Sequence, residues 1–162
     1  MTADVKARGL IGKHSMTENR GQASNFGWAW VVLCLALGLH VTDEALTNFL
    51  SVYNPAVAGI RQRLPFLPLP TFTFRTWLTG LILAVVLLLA ISPFAFRNAR
   101  WMVPLAYGFG VFMLVNGLQH IAGSVYMGRP MPGVYSAPVL LLCSLYLLKR
   151  IRNRGGSSAS HV

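Results

Sequence analysis

The sequence predicts an all-α integral membrane protein, a bundle of four transmembrane helices with both termini in the cytoplasm. Two observations predict the membrane. Hydrophobic residues make up 54% of the 162 positions and charged residues only 11%, whereas soluble domains carry about 25% charged residues. The apolar residues also form runs of roughly 20 residues, the length that a helix needs to cross a hydrocarbon core about 30 Å thick.

Four such runs define the predicted transmembrane domain, residues 26–151. The spans cover residues 26–50, 75–96, 101–122 and 134–151. Residues 1–25 are polar and lack hydrophobic periodicity, and residues 152–162 are rich in Gly and Ser. Both segments are predicted to be disordered cytoplasmic tails.

A long connection separates the first two spans. Span one opens with Trp28 and Trp30, side chains that favour the membrane interface, and turns polar after Leu39. Residues 51–74 contain four prolines, which disfavour a continuous helix. Within this connection, residues 56–64 are predicted to form a short helix on the membrane surface, with its arginines facing water.

The later spans follow one another through short turns. Span two contains the nearly unbroken apolar run 81–91, and the basic turn 97–100 leads into span three. The loop 126–133 holds several Gly and Pro residues, which is typical of a turn before span four. Small residues on span three should let neighbouring helices approach closely in lipid; they are Gly108, Gly110 and Gly117.

Lys and Arg are distributed unequally between the two sides of the predicted bundle. The side that holds the termini and the turn 97–100 carries ten, and the other side carries four. The positive-inside rule therefore places both termini in the cytoplasm of a multi-pass protein of the cell (inner or plasma) membrane. The net charge of +10 is explained by anchoring at span ends. No basic face interleaved with aromatic residues indicates nucleic acid as a partner.

The two cysteines, Cys34 and Cys143, lie inside spans and form neither a C-x-x-C motif nor a disulfide pattern. They are predicted to be buried thiols that pack like small apolar side chains.

Few ionisable residues lie within the apolar segments. Asp43 and Glu44 are the only carboxylates of the transmembrane domain, and His40 and His120 are its only imidazoles. His40, Asp43 and Glu44 stand at positions i, i+3 and i+4, so they share one broad helix face. Thr47 extends this stripe by one turn. Asn116 and His120 are likewise at i and i+4 on span three.

The two polar clusters lie at matching depth. Counted from Phe26 at about 1.5 Å per residue, His40 and Glu44 stand about 21 and 27 Å along span one. Counted from the start of span three, Asn116 and His120 stand about 22 and 28 Å along. The clusters are therefore predicted to face each other in the outer half of the membrane, with spans two and four as scaffold. Ionisable groups at such depth need a partner: a metal ion, a proton or an arginine.

The spacing of these residues resembles a known family. The H-x-x-D-E pattern at residues 40–44 is similar to the motif that names the HXXEE family of integral membrane proteins. Residues 116–120 match its N-x-x-x-H element, and Pro132 with Gly133 matches its Pro-Gly turn before the last span. The resemblance covers residues 30 to 150 or so and departs at Asp43, where the family name has Glu. It implies an integral membrane protein of unknown function, suggested to be enzymatic.

The residues themselves predict a membrane-embedded, metal-dependent hydrolase or acid/base enzyme. His40, Glu44 and His120 are the predicted ligands of a divalent cation, zinc foremost, because two imidazoles and a carboxylate leave a position open for water or substrate. Asp43 would be a general base or would orient a ligand, and Asn116 would bind substrate or hold His120. The expected substrate is a lipid or another amphiphile, the expected partners are membrane lipids, and homo-oligomers are considered. No organic cofactor is predicted.

Three alternatives stay open. A metal-free enzyme would use a protonated carboxyl group and an imidazole as acid and base. A small transporter would use the same groups as a proton relay, although no inverted repeat is evident. In a purely structural bundle, Asp43 and Glu44 would pair with Arg75, Arg129 or a protonated His120.

Overall fold

A computed structural model gives an all-helical chain. It describes the backbone of residues 2–157 and the side chains of residues 24–154. In chain order the helices are α1 (Thr2–Leu46), α2 (Leu50–Arg63), α3 (Phe74–Ala90), α4 (Ser92–Phe96), α5 (Met102–Met127) and α6 (Ala137–Ser157). Residues 2–157 contain no strand, so the predicted all-α class is confirmed.

Three segments are long and apolar enough to cross a membrane. They are Ser24–Leu46 within α1, Phe74–Phe96 across α3 and α4, and Met102–Met127, which is α5. The fourth predicted span corresponds to α6, which becomes strongly basic after Leu148. Its apolar part, residues 137–148, is only about 18 Å long at 1.5 Å per residue, and the hydrocarbon core is about 30 Å thick. Three candidate crossings are therefore found in the described chain, and the four-helix transmembrane bundle stays a prediction.

Helix α1 begins much earlier than the first predicted span, residues 26–50. Its backbone is helical from Thr2 onward, and the disorder and cytoplasmic position predicted for residues 1–25 stay predictions. At the other end of the chain, α6 extends to Ser157, into the predicted C-terminal tail. Residues 158–162 of that tail lie outside the described residues.

A tight turn separates α1 from α2. Helix α1 ends at Leu46, four residues before the predicted end of the span, because the chain reverses at Asn48 with φ +59°. Asparagine tolerates this left-handed conformation better than most residues. The helix predicted at residues 56–64 is confirmed, and it begins earlier than expected, at Leu50. Its position on a membrane surface stays a prediction.

The segment 64–73 runs back along α2. The Asn54 side-chain amide donates to the Phe72 carbonyl at 2.9 Å and its oxygen accepts from the Phe72 N–H at 3.1 Å. The Tyr53 hydroxyl donates to the Pro70 carbonyl at 3.1 Å. These bonds supply partners for backbone groups of an irregular segment. The connection is thus a folded hairpin that leads into α3.

The second predicted span, residues 75–96, is interrupted. Helix α3 ends at Ala90 and α4 begins at Ser92, because Pro93 lacks an N–H group and its ring crowds the preceding turn. Beyond this break the chain still continues toward α1, where the Phe96 ring packs directly against the backbone of Gly27. Helices α3 and α4 therefore still form one membrane-crossing segment, Phe74–Phe96, in spite of the break.

Helix α1 lies between α3 and α4 on one side and α6 on the other. Helices α1 and α6 are antiparallel, since Phe26 contacts Arg154 at one end and His40 contacts Ser136 at the other. Phe26 and Arg154 therefore lie at the same end of the two helices. The assignment of that end to the cytoplasm stays a prediction from the charge count.

The hydrophobic core lies mainly along α1. The buried apolar residues of this helix are Phe26, Ala29, Trp30, Leu33, Cys34, Ala36, Leu37 and Val41. They cover more than one face, as expected for a helix with neighbours on two sides. Cys34 is buried as predicted, Cys143 is half-buried, and both thiols are free.

Helix α5 packs against α6 along small residues. A Cβ on Gly117 would lie 2.9 Å from Leu141 Cγ, and one on Gly110 would lie 3.0 Å from Leu148 Cδ2. The prediction that glycines allow close helix approach is confirmed for these two positions. Gly108 has open space around it, so it plays no part in the contact.

Candidate metal centre

Two histidines and a glutamate converge where α1 meets α5. His40 and Glu44 are one turn apart on α1, and His120 lies on α5. Glu44 Oε1 is 3.1 Å from His120 Nε2 and 3.7 Å from His40 Nε2. The imidazole rings meet edge to face with centroids 4.7 Å apart. Both histidines are 0% exposed and Glu44 is 6% exposed. The structure thus brings together the three residues that the sequence predicts as ligands.

The position of the proton on His120 follows from its hydrogen bond. Nδ1 lies 2.5 Å from the carbonyl oxygen of Pro132, and a carbonyl oxygen can only accept. Nδ1 therefore carries the proton and donates it. In a neutral imidazole the other nitrogen, Nε2, then holds a lone pair. This lone-pair atom is the one nearest to Glu44.

A serine just before α6 orients His40 in the same way. The N–H and the hydroxyl of Ser136 both donate to Asp43 Oδ2, each at 2.8 Å. Because the single hydroxyl proton goes to the carboxylate, Ser136 Oγ can only accept from His40 Nδ1, which is 2.8 Å away. His40 is therefore protonated on Nδ1. Its Nε2 holds a lone pair on the side of Glu44.

Asp43 supports the candidate centre without belonging to the ligand set. Its carboxylate orients His40 through Ser136, an arrangement related to the carboxylate–histidine pairs that orient ligands in metal sites. Here one hydroxyl group stands between the two side chains. Of the two roles predicted for Asp43, the geometry favours the orientation of a ligand over action as a general base.

When both imidazoles are neutral, the described residues at this centre present three acceptor atoms to one another and no donor. Nε2 of His40 and Nε2 of His120 are buried without a hydrogen-bond partner, and they face a carboxylate oxygen. Buried polar atoms without partners are costly, and a cation or proton between them removes that cost.

The distances fit a divalent cation. Bonds of about 2.0–2.1 Å in a tetrahedral site hold two ligand atoms about 3.3 Å apart. The two observed separations from Glu44 are 3.1 and 3.7 Å, and all three ligand atoms lie within 4.8 Å of one another. Two imidazole nitrogens and a carboxylate oxygen are also the donor types that zinc accepts. The donor types and the two separations from Glu44 therefore fit the predicted cation.

The loop between α5 and α6 covers the centre at Gly133. The φ of this residue is +84°, a conformation that favours glycine. A Cβ here would lie 2.9 Å from His120 Nδ1 and 3.0 Å from Glu44 Cγ. The Gly133 N–H donates to Thr47 Oγ1 at 3.3 Å, and Thr47 donates to the Asp43 carbonyl. Both the backbone and the available space therefore require glycine.

Aromatic rings cover the centre on the side of α2. The Phe49 ring lies 5.8 Å from the His120 ring and stacks on Trp77, also at 5.8 Å. Tyr53 continues the row, 5.5 Å from Phe49. Phe49 is half-buried and Trp77 is buried, so this row shields the imidazole from water.

Asn116 does not join the centre. It lies one turn before His120 and is half-buried, but its side-chain oxygen accepts a hydrogen bond from Gln119 at 2.8 Å. The atom that holds His120 is the Pro132 carbonyl oxygen instead.

The arginines of the structural alternative also lie elsewhere. Arg75 and Arg129 are exposed. Among the described side chains, the basic groups within 4 Å of the Glu44 carboxylate are the two imidazoles, and the carboxylate of Asp43 is bound by Ser136. Pairing of the buried carboxylates with arginine therefore finds no support.

Three supporting groups come from outside the predicted ligands. Thr47 was indicated by the helical stripe, and Gly133 by the Pro-Gly turn. Ser136 had no distinguishing signal, because a single serine before an apolar run is common. Span four was predicted to be scaffold only, but Ser136 immediately before α6 contacts two residues of the polar cluster.

A family model described as a protein of unknown function with HXXEE motif matches residues 27–147. The match includes all three candidate ligands as well as Ser136 and Gly133. Asp43 occupies the motif position at which the family name has Glu, and its carboxylate accepts both hydrogen bonds from Ser136. No curated protein and no solved structure matches the chain.

Proposed function

The chain belongs to the HXXEE family, whose function is unknown, and we propose that it is a membrane-embedded, metal-dependent enzyme. His40, Glu44 and His120 hold a divalent cation, with zinc as the first candidate. The substrate is a lipid or another amphiphile, and the reaction is a hydrolysis or an acid/base conversion.

One observation carries this proposal: two buried imidazole nitrogens without a hydrogen-bond partner face one buried carboxylate oxygen of Glu44, at 3.1 and 3.7 Å. A structural zinc site fills its four positions with protein ligands, whereas a catalytic site uses three and leaves the fourth for water or substrate. The described residues offer three ligands in this cluster. The ligand count therefore supports a catalytic site.

The chemistry divides between the cation and the protein. A divalent cation bound here supplies a Lewis acid that polarises a substrate oxygen or activates water. Asp43 and Ser136 keep Nε2 of His40 directed inward. The Pro132 carbonyl does the same for His120.

The position of the centre supports an amphiphilic substrate. His40 and Glu44 lie within Ser24–Leu46, and His120 lies within Met102–Met127, two segments apolar enough to cross a membrane. A molecule that reaches these residues enters from the bilayer or from its surface. With the termini in the cytoplasm of a cell membrane, as the charge count predicts, the centre faces the outer leaflet.

Metal analysis of detergent-purified protein tests the ligand set. We expect about one metal ion per wild-type chain by plasma mass spectrometry, and loss of that metal in His40→Ala and His120→Ala. Gln119→Ala is the matched control, since Gln119 neighbours His120 but is exposed. A wild-type protein without metal would favour a proton shared by Glu44 and His120. Retention of metal in both histidine variants would refute the ligand set.

A lipid conversion assay tests the enzymatic part of the proposal. Wild-type protein reconstituted in vesicles of mixed phospholipids and diacylglycerol is incubated with and without a chelator, and products are measured by mass spectrometry. Product that requires His120 and disappears with the chelator supports the proposal. Product that survives the chelator supports the metal-free enzyme. Stoichiometric metal without any product would contradict action on these lipids.

A further inference from the structure

A small polar cavity lies at the end of the molecule where Phe26 of α1 meets Arg154 of α6. Its volume is about 130 Å³, and it is lined by Asn25 of α1 and by Arg150, Asn153 and Arg154 of α6. All four side chains have N–H donors, and two of them are cationic. This composition favours an anionic ligand.

Arg154 is a partly desolvated cation in this cavity. Its guanidinium carbon lies 4.3 Å from the centre of the Phe26 ring. Its Nη1 atom is buried and has no hydrogen-bond partner among the described residues. Burial lowers the pKa of this guanidinium from its usual value, yet arginine stays charged at physiological pH. A shielded cation with an unused donor is stabilised by an anion.

Arg150 lies one turn before Arg154 on the same helix face. Its Nη2 donates to the Tyr146 hydroxyl at 3.1 Å, and its guanidinium carbon lies 4.9 Å from the centre of that ring. These contacts restrain the side chain. The carboxylates of the described residues, Asp43 and Glu44, belong to the candidate metal centre at the other end of α1. No described acidic side chain therefore neutralises the two arginines.

The cavity lies at the level of a membrane interface. Phe26 stands near the start of the membrane-crossing segment Ser24–Leu46. Trp28 and Trp101, at the same end of the molecule, are 57% and 48% exposed, and exposed tryptophans favour the headgroup region of bilayers. Basic pockets between transmembrane helices bind lipid head groups at this level.

We propose that this cavity binds the phosphate group of an anionic phospholipid. Arg150 and Arg154 are the main ligands, because guanidinium groups bind phosphate oxygens in pairs. Asn25 and Asn153 supply further N–H donors. The site is separate from the candidate metal centre and does not depend on the proposed enzymatic function.

A competing interpretation treats all basic residues at the end of α6 alike, as topology signals or partners of the helix dipole. Arg152 separates the two interpretations. It has the same charge on the same helix, but it is exposed and lines a different groove with Lys149. Loss of Arg152 should therefore leave phosphate binding nearly unchanged.

Native mass spectrometry of the full-length protein in detergent tests the proposal. Phosphatidylglycerol and phosphatidylcholine are titrated against wild-type protein, Arg154→Gln, Arg150→Gln and Arg152→Gln. We expect wild-type protein to retain one phosphatidylglycerol in preference to phosphatidylcholine. Each cavity variant should weaken this binding about tenfold or more, since a charge-assisted hydrogen bond is lost. Arg152→Gln should stay within about threefold of wild type.

Equal losses in Arg152→Gln and Arg154→Gln would overturn the proposal in favour of general electrostatic attraction. Equal binding of the two lipids by wild-type protein would overturn it as well. Inorganic phosphate is added as a competitor. If phosphate displaces phosphatidylglycerol when the two are at equal concentration, the cavity is a site for free phosphate and the lipid assignment is overturned. If Arg154→Gln does not fold, Arg150→Gln carries the same expectation.

Discussion

His120 donates from Nδ1 to the carbonyl oxygen of Pro132 at 2.5 Å, and this bond links the direction of a candidate metal ligand to a loop. The next residue, Gly133, donates its N–H to Thr47 of α1. The loop between α5 and α6 is therefore tied to both helices that supply ligands. Substitutions in the loop should change metal binding although they alter no ligand.

Replacement of Gly133 by alanine should abolish metal binding. The added Cβ would lie 2.9 Å from His120 Nδ1, so the imidazole would have to move. Gly128→Ala is the matched control, because Gly128 has φ +63° with open space around it. Both variants should lose about 1–2 kcal/mol of stability, since alanine is strained in left-handed backbone, and Gly133→Ala should lose more because its Cβ also crowds His120. Metal content and thermal unfolding measure the two effects, and equal metal content in both variants would contradict the assignment.

Replacement of Ser136 by alanine should weaken metal binding about 10- to 100-fold, the usual effect of removing a group that orients a ligand. The variant breaks the link from Asp43 to His40 and leaves His40 free to rotate. Ser144→Ala is the control, because Ser144 is a buried serine of the same region whose hydroxyl donates only within α6, to the Leu140 carbonyl. Competition with a fluorescent zinc chelator gives both affinities. Unchanged affinity in Ser136→Ala would remove Ser136 from the centre.

Replacement of Glu44 by glutamine should remove metal binding yet leave the metal-free protein at least as stable. The new amide can donate to Nε2 of His120, which lies 3.1 Å from the carboxylate oxygen in the present structure, and so can satisfy a buried lone pair.

The measurement for Glu44→Gln is thermal unfolding with and without a chelator. A metal at a hundred times its dissociation constant stabilises the folded state by about 2.7 kcal/mol, so the chelator should lower the melting temperature of wild-type protein. It should not affect the variant. Equal shifts in the two proteins would mean that the chelator acts at another site.

The three candidate ligands could be predicted from helical geometry. The i and i+4 spacing puts His40 and Glu44 on one face, and equal depth along two parallel spans indicated His120 as their neighbour. The observed 3.1 Å between Glu44 and His120 agrees with the depth count. The same count put Asn116 level with His40, but depth does not determine which way a side chain turns around its helix. Asn116 therefore lies on a half-buried part of α5 instead.

The supporting groups could not be predicted in this way. Ser136 reaches Asp43 across 93 positions of sequence, and only the fold of the loop before α6 sets that contact. The Pro132 carbonyl is a backbone group, and the amino-acid sequence does not show that its oxygen points toward His120. The helix boundaries near residue 48 and residue 91 likewise depend on local turns, at an asparagine with positive φ and at the break before Pro93.

Packing of α5 on α6 should also control the centre, and two glycines of α5 should respond with opposite signs. In Gly117→Ala, the new Cβ would lie 2.9 Å from Leu141 Cγ and 3.2 Å from the Ala137 carbonyl oxygen. The backbone oxygen cannot rotate away, so α6 must shift, and Ser136 immediately precedes that helix. We expect lower stability and weaker metal binding. In Gly108→Ala, the Cβ meets open space.

Gly108→Ala should instead stabilise the protein by about 0.5–1 kcal/mol, because alanine loses less backbone entropy than glycine in a helix. Its metal affinity should equal that of wild type. Unfolding in mixed micelles with increasing denaturing detergent gives the stabilities, and zinc competition gives the affinities. Destabilisation by Gly108→Ala would indicate a neighbour on that face, such as a second copy of the chain. Normal metal binding in Gly117→Ala would show that the centre tolerates movement of α6.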